Sequence, residues 1–424
     1  SKIKRAGMYI DRVYLAKLKK DVPEKMTKTL KFIRDTCGKE VTLTKTADII
    51  WLLHTYLGIP KPTDKKFLTD KGQAKTSKDV LEAYNTKYPS PIITGILGYK
   101  KLKKLDGSFL KKIEEFISHK TGRVHPTYFL GVTKTGRLSC RGPNIQQMPK
   151  EIELPDGEII SIKKLFIAPP GKILLHADYS QMEFAVLAGL SASYGDDTLK
   201  KAVNEGLDLH CYVASKVFKI DYDVMFKKSK IKEHLDKKYE KLRSRAKAVG
   251  FGIIYGSSAW GMAKKQGITE QEAQSLIDAF FREFPGIKKY ISDKHQQVKD
   301  EHFSVSPFGR RRRFPVIDVR GWADNSCKRK AQNHPIQSGA SDITLNAVIG
   351  LSEEMPKIGG EVIGTVHDSI ISEIEDTPES IEAACKLYME ICVEKPKLAY
   401  SFLSGVNLKV DLEKGYNWGE LEEI

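Results

Sequence analysis

Arg243-Ser244-Arg245-Ala246-Lys247-Ala248-Val249-Gly250-Phe251-Gly252-Ile253-Ile254-Tyr255-Gly256 is the stretch on which the reading of this chain turns. Arg243, Lys247, Phe251 and Tyr255 recur every four residues. On an α-helix a four-residue step turns about 400° and climbs about 6 Å, so the first three share one face within roughly 80°. That face reads cation, cation, aromatic, and a second aromatic follows one turn later. The cations suit a triphosphate, and the aromatics suit a sugar and a base. The competing reading is a solvated basic face with aromatics in the core, which is what such spacings ordinarily mean.

Two carboxylate segments weigh against that plainer reading. In Ile173-Leu174-Leu175-His176-Ala177-Asp178-Tyr179-Ser180-Gln181-Met182-Glu183 an apolar run ends in an Asp and turns into a segment, Phe184 to Leu190, with helical character. In Val362-Ile363-Gly364-Thr365-Val366-His367-Asp368-Ser369-Ile370-Ile371 two β-branched, apolar runs flank His-Asp-Ser, the pattern of strand, tight turn and returning strand. An Asp at a strand end is often only a turn former. Two of them meeting in space could hold two magnesium ions, which take a few carboxylates plus phosphate oxygens and clamp an in-line phosphoryl displacement. Spacing alone does not say that Asp178 and Asp368 meet.

Four segments, in order, resemble the polymerase region of a family A DNA polymerase. Thr135-Gly136-Arg137-Leu138-Ser139 with Pro143-Asn144-Ile145-Gln146 resembles the family's template-primer motif. Asp178 to Glu183 resembles motif A, Arg243 to Gly256 motif B, and Val366-His367-Asp368 motif C. Softer matches are Asp208-Leu209-His210, Phe284-Pro285-Gly286, Phe308-Gly309-Arg310-Arg311, and Arg329 with Asn333-His334-Pro335-Ile336-Gln337. The N-terminal part matches more weakly, through Gly7-Met8-Tyr9-Ile10-Asp11 and Leu57-Gly58-Ile59-Pro60.

The resemblance implies an α+β right hand, with an antiparallel palm sheet and helical fingers and thumb. It assigns residues 1–120 to the thumb and N-terminal helical part, 121–195 and 336–424 to the two parts of the palm, and 196–335 to the fingers. It implies template-directed addition of deoxynucleotides to a primer 3′-hydroxyl, on primer-template DNA and with dNTPs, by a monomer. Asp178, Asp368 and the backbone carbonyl of Tyr179 would bind two magnesium ions, with manganese able to substitute. Arg243, Lys247 and His210 would hold the triphosphate, with Gln181 adding a contact and Lys247 serving as general acid. Phe251 would lie against the sugar, Tyr255 near the templating base, and Glu183 would gate the ribose 2′-position, hydrogen-bonded to Tyr255. Arg137, Asn144, Gln146, Arg329, Asn333, Gln337 and His367 would contact primer-template, where minor-groove acceptors common to all base pairs report shape rather than sequence.

Three positions depart from the family pattern. Ser369 stands where a Glu usually follows the motif C Asp. Phe184-Ala185 replaces the frequent Leu-Arg. Gly250 precedes Phe251 where many relatives have a polar residue, and with Gly252 it puts two glycines in one helix, each costing roughly 1 kcal/mol against Ala and implying mobility there. Gly250-x-Gly252-x-x-x-Gly256 is not a dinucleotide fingerprint, because it continues a charged helix instead of following a strand. No Walker motif occurs. The acidic motifs of a proofreading exonuclease would precede the thumb, so this chain is expected to lack 3′–5′ exonuclease activity.

Composition agrees with this reading. The net charge of +16 and pI of about 9.3 over 424 residues favour a polyanionic partner, though basic charge is shared with ribosomal and membrane-surface proteins. The stretch from Lys61 to Lys78 is basic and polar, a solvated loop or a thumb tip along DNA. Six cysteines without a Cys-x-x-Cys argue for reduced thiols and no zinc site. No signal peptide and no apolar run near 18 residues is visible, so the expected setting is cytoplasmic, bacterial or that of a phage host. Two other classes share features. A single-subunit RNA polymerase has the Asp pair and the Arg/Lys/Tyr helix, but Phe251-Gly252 and Glu183 argue against it. A binding module with a decayed site would not keep both Asp residues and all of motif B.

Overall fold

The computed structural model describes residues 2–64, 67–149, 151–154, 157–314 and 322–424. Its centre is an eight-stranded sheet of β1 (Met8–Ile10), β2 (Arg123–Val124), β3 (Phe166–Ile167), β4 (Lys172–Tyr179), β5 (Glu361–Val366), β6 (Ser369–Glu375), β7 (Val410–Asn417) and β8 (Glu420–Glu423). The order is β5-β6-β4-β7-β3-β1-β2, with β8 on β7, and neighbouring strands are antiparallel. β4 reads as an almost unbroken apolar run because both of its faces are covered. Ile173, Leu175, Ala177 and Tyr179 enter one core, while Leu174 enters a second core with Ile363 and Ile371. The two-residue period therefore puts His176 and Asp178 on the face of Leu174.

The helices that matter for the site are α1 (Arg12–Cys37), α2 (Pro91–Leu105), α3 (Met182–Ala192), α4 (Leu209–Phe218), α5 (Tyr222–Lys230), α6 (Lys237–Ile254), α7 (Ala259–Gln266) and α8 (Trp322–Glu354). Local chemistry starts most of them. Asp11, Asp208, Asp221, Asp236 and Ser258 each cap the N-terminus of the helix that follows, with the side-chain oxygen accepting a backbone N–H. The helices of the N-terminal third enclose their own core, which includes Ile33, Leu43, Leu53, Leu81, Ile93 and Ile96. A short hairpin pairs Thr127–Phe129 with Ser139–Arg141, so Arg137 is carried on its connecting loop.

Two features differ from the expected spans. Met8–Ile10 is a strand of the main sheet, although residues 1–120 read as helical. α8 runs unbroken through the expected junction between 335 and 336, with Pro335 inside it. A helix of this length keeps its course past one proline when its neighbours hold it, and Ala331, Ile336, Ala340 and Ile343 along it are buried. Within the basic Lys61–Lys78 stretch, Lys65 and Lys66 lie outside the described residues. All six cysteines are free, and among the described residues no helix is long and apolar enough to cross a membrane.

Candidate functional site

β5 and β6 form the hairpin that the sequence pattern predicts, with His367 and Asp368 at its tip. His367 takes up the left-handed conformation (φ 53°) that the tight turn needs. Thr365 Oγ1 donates to the Ser369 carbonyl at 2.8 Å, and Ser369 Oγ donates to the Val366 carbonyl at 2.9 Å. The residue that departs from the family pattern thus closes the turn. In the β6–β4 register Ser369 lies opposite Asp178, and the Tyr179 N–H donates to the Asp368 carbonyl at 3.2 Å. The two aspartates are brought together at the ends of adjacent strands. On its other side Asp178 is in register with Asp411 of β7.

That crowding has an electrostatic cost. The Asp178 carboxyl reaches solvent, yet its pKa is pushed up to about 6, first by burial and then by the charges of Asp368, Asp411 and Glu413. Burial also raises Asp368, against the opposing pull of Arg137 and His367. Arg137, Gln146, His367 and Asp368 line one narrow recess. Among the described residues no group of three or more His, Cys, Asp or Glu side chains is placed to hold a metal ion.

α6 carries Arg243, Lys247 and Phe251 on one face, and Tyr255 caps its C-terminus. Phe251 stands edge-on to Phe184 (5.5 Å between centroids), tilted against His210 (5.4 Å) and stacked toward Tyr255 (6.4 Å). Lys247 is exposed beside Phe251, and both line a cavity of about 520 Å³ with Tyr255, Met262 and Lys265. His210 is buried, and this holds its pKa down at about 4, so the imidazole is neutral at physiological pH. A neutral imidazole can offer a hydrogen bond to a phosphate. The glycines of α6 serve packing. A Cβ on Gly250 would come 3.2 Å from the Phe184 ring, and one on Gly252 would come 2.8 Å from the tip of Met262. Close approach gives both glycines a packing reason beside the mobility expected of them.

Glu183 joins the two groups. It is buried at the start of α3, accepts from the Tyr255 hydroxyl at 2.8 Å and pairs with Arg137 at 2.9 Å. The expected Tyr255 contact is present, and Arg137 is an additional partner. Gln181 precedes α3 in a left-handed conformation (φ 53°). Arg329, Asn333 and Gln337 lie four residues apart along α8, and Arg329 packs so closely on Gly256 that a Cβ there would overlap its side chain. Asn144 Oδ1, Gln181 Oε1 and Asn333 Nδ2 are shielded from solvent without a hydrogen-bond partner among the described residues.

Other contacts escaped the sequence. Asp208 Oδ2 accepts from Arg243 Nη2 at 2.7 Å, and Arg243 Nε donates to Cys211 Sγ at 3.2 Å. Arg310 pairs with Asp342 at 2.6 Å, and its guanidinium lies where a Cβ on Gly136 would be. The only advance signal was Asp208 and Arg310 falling within softer motif matches.

Comparison with known proteins gives one consistent result. The family described as DNA polymerase family A matches residues 12–420. DNA polymerase I of Pseudomonas aeruginosa is 31% identical over 99% of this chain and 43% of its own length. The thermostable DNA polymerase I of Thermus aquaticus is 30% identical over 98% of this chain and 46% of its own length. The chain thus spans less than half of these curated relatives. The POL domain of Pol1 from M. smegmatis, solved in complex with DNA primer-template and dNTP, superimposes with a TM-score of 0.81 at 26% identity, covering 98% of this chain and 68% of that one.

Proposed function

The chain belongs to DNA polymerase family A and has the α+β right-hand fold, and on that premise we propose that it extends a primer 3′ end on a DNA template with dNTPs, releasing pyrophosphate. The observation that carries this is the β6–β4 register, which joins Asp178 and Asp368 within one site also reached, through Glu183, by the Tyr255 end of α6. The palm would comprise the main sheet, including β1. The fingers would be the helices from 196 up to α8, and the thumb the helices around the N-terminal core.

The donor set fits magnesium: two carboxylates and the Tyr179 backbone carbonyl are hard oxygen ligands, and the Asp178 pKa, raised by burial and then by neighbouring carboxylates, marks a negative charge that a divalent cation would stabilise. Bound there, two ions would acidify the primer 3′-hydroxyl and neutralise charge on the departing pyrophosphate. The chain's own part is positioning and electrostatics. Arg243 and Lys247 would grip the triphosphate by charge, His210 by a neutral N–H, and Gln181 from the head of α3. Lys247 Nζ, 6.0 Å above the centroid of the Phe251 ring, would pass a proton to the leaving pyrophosphate. Phe251, braced by Phe184 and His210, would support the sugar, and Tyr255 would meet the templating base. Glu183, fixed by Arg137 and Tyr255, would occupy the space a 2′-hydroxyl needs. Arg137, Asn144, Gln146, Arg329, Asn333, Gln337 and His367 would face primer-template, and the unpartnered atoms of Asn144 and Asn333 are suited to nucleic-acid polar groups.

The test is extension of a labelled primer with magnesium and dNTPs, with Asp368→Asn in parallel. Full-length product that disappears in the variant is expected. Folded wild-type protein that binds primer-template yet adds no nucleotide would refute the proposal.

A further inference from the structure

We propose that Asp208 and Cys211 are positioning residues that fix the Arg243 guanidinium for the triphosphate of the incoming nucleotide. The inference rests on the reading of Arg243 as a triphosphate contact.

A guanidinium has five N–H donors in a rigid plane. The edge formed by Nε and Nη2 is taken: Nε–H goes to Cys211 Sγ at 3.2 Å, and Nη2 goes to Asp208 Oδ2 at 2.7 Å. The Nη1–Nη2 end remains for a second anion, and that end has the fork geometry that suits a phosphate. Both clamp residues are themselves anchored. Asp208 Oδ1 accepts from the Cys211 N–H at 2.8 Å as the cap of α4, so each carboxylate oxygen has its own task. Cys211 is fully buried and touches Ser229 Oγ of α5 at 3.4 Å. Three helices, α4, α5 and α6, thus converge on one side chain.

The pair lies where its charge matters. The Asp208 and Arg243 side chains keep only 13% and 21% of their exposure, so solvent screens them less than a surface pair. Asp208 lines a cavity of about 420 Å³ together with Lys230, Lys409, Asp411 and the two residues just beyond the Asp178 strand, Ser180 and Gln181. A long arginine without the clamp would sample many rotamers, and a triphosphate would have to order it on binding. The clamp bears that ordering in advance. The neighbouring Lys230 approaches Asp208 at 3.8 Å from α5, so the carboxylate has a second cation beside it.

The experiment measures kcat, KM for dNTP, and dNTP affinity on a dideoxy-terminated primer-template, using the whole chain. Arg243→Ala is expected to raise KM about 100-fold. Asp208→Asn keeps the helix cap and shape but removes the charge, and should raise KM about 10-fold with kcat within about twofold; because it leaves the Arg243 charge unpaired it should also lower the melting temperature modestly, which a KM change confined to dNTP distinguishes from a general loss of structure. Cys211→Ala should raise KM about twofold. The double variant Asp208→Asn/Arg243→Ala should be no worse than Arg243→Ala alone, because Asp208 acts through Arg243. If Arg243→Ala leaves KM unchanged, the triphosphate reading of Arg243 fails and the inference with it. If Arg243→Ala raises KM while Asp208→Asn leaves it unchanged or lowers it, or if the two effects add in full, the inference alone is overturned.

Discussion

The sheet end that carries Asp178 and Asp368 and the helix face that carries Arg243 and Lys247 hold charge in opposite ways. On the sheet, backbone register does the placing: Ser369 lies opposite Asp178, the Tyr179 N–H reaches the Asp368 carbonyl, and two carboxylates are adjacent whatever their mutual repulsion. On α6 the placing is done by side chains. Arg243 is held by Asp208 and Cys211, and Lys247 extends into solvent. Like charges that must meet need the stiffer device, because side chains free to turn would separate them. Cations meant to exchange partners with a ligand need contacts that can be remade.

The largest effect should come from breaking the sheet side. An Asp whose folded pKa lies above its unfolded value near 3.9 binds its proton more tightly when folded, so stability falls as pH rises through that window, here up to about 6. Asp178→Asn should therefore cut primer extension roughly 1000-fold. In metal-free buffer it should also raise the stability of the fold above pH 6, by on the order of 1 kcal/mol after allowing for solvent screening. That gain should shrink as pH falls from about 6 to 4 and vanish below it, where the wild-type carboxyl is protonated in both states. Thermal melts from pH 4 to 8 with a chelator would read it. A variant that is inactive but less stable at neutral pH would mean that the register imposes no electrostatic cost.

How far this division was legible in the sequence follows from its range. The hairpin around Asp368, the strand ending at Asp178 and the helix through Arg243 are written in short periodic stretches, so all three could be read. Met8–Ile10 is three residues long, too short to carry a strand period, and only its pairing with β2 and β3 reveals it. The partners of Arg243 lie 32 and 35 residues away, and the bond between Arg310 and Asp342 spans 32. No local pattern announces such pairs, because tertiary packing creates them. The neutral state of His210 was hidden for the same reason: its burial comes from Phe184 and Phe251, not from its own helix.

A smaller effect is expected where the two regions touch. Glu183 binds Arg137 on the loop of the short hairpin and Tyr255 at the end of α6, and it is almost fully buried. Size and charge can be separated there. Glu183→Gln keeps the bulk and a hydrogen bond to Tyr255 but leaves the Arg137 charge unpaired, so stability should fall by about 1–3 kcal/mol while ribonucleotides are still refused. Glu183→Ala opens the space and should raise ribonucleotide incorporation relative to deoxynucleotide by about 10-fold or more. Competition between the two nucleotide types, set beside urea melts, would decide the matter. Equal loss of discrimination in both variants would assign the gate to charge instead of bulk.

The finest distinction lies within α6, between its two glycines. Replacing a helical glycine by alanine gains up to about 1 kcal/mol when the new methyl group has room. At Gly252 the obstacle is the terminal methyl of Met262, 2.8 Å away, and a thioether chain turns aside easily. At Gly250 the obstacle is the Phe184 ring at 3.2 Å, and that ring is fully buried and braced edge-on by His210 and Phe251. Gly252→Ala should therefore be neutral or stabilising by up to about 1 kcal/mol. Gly250→Ala should be neutral or destabilising despite the same gain in helix propensity, since it displaces the aromatic brace of Phe251. Chemical denaturation of the two variants would test the order. If both were stabilised alike, the packing account of the glycines would give way to the mobility first expected of them, and α6 would have to be regarded as a looser carrier of its cations than the sheet is of its carboxylates.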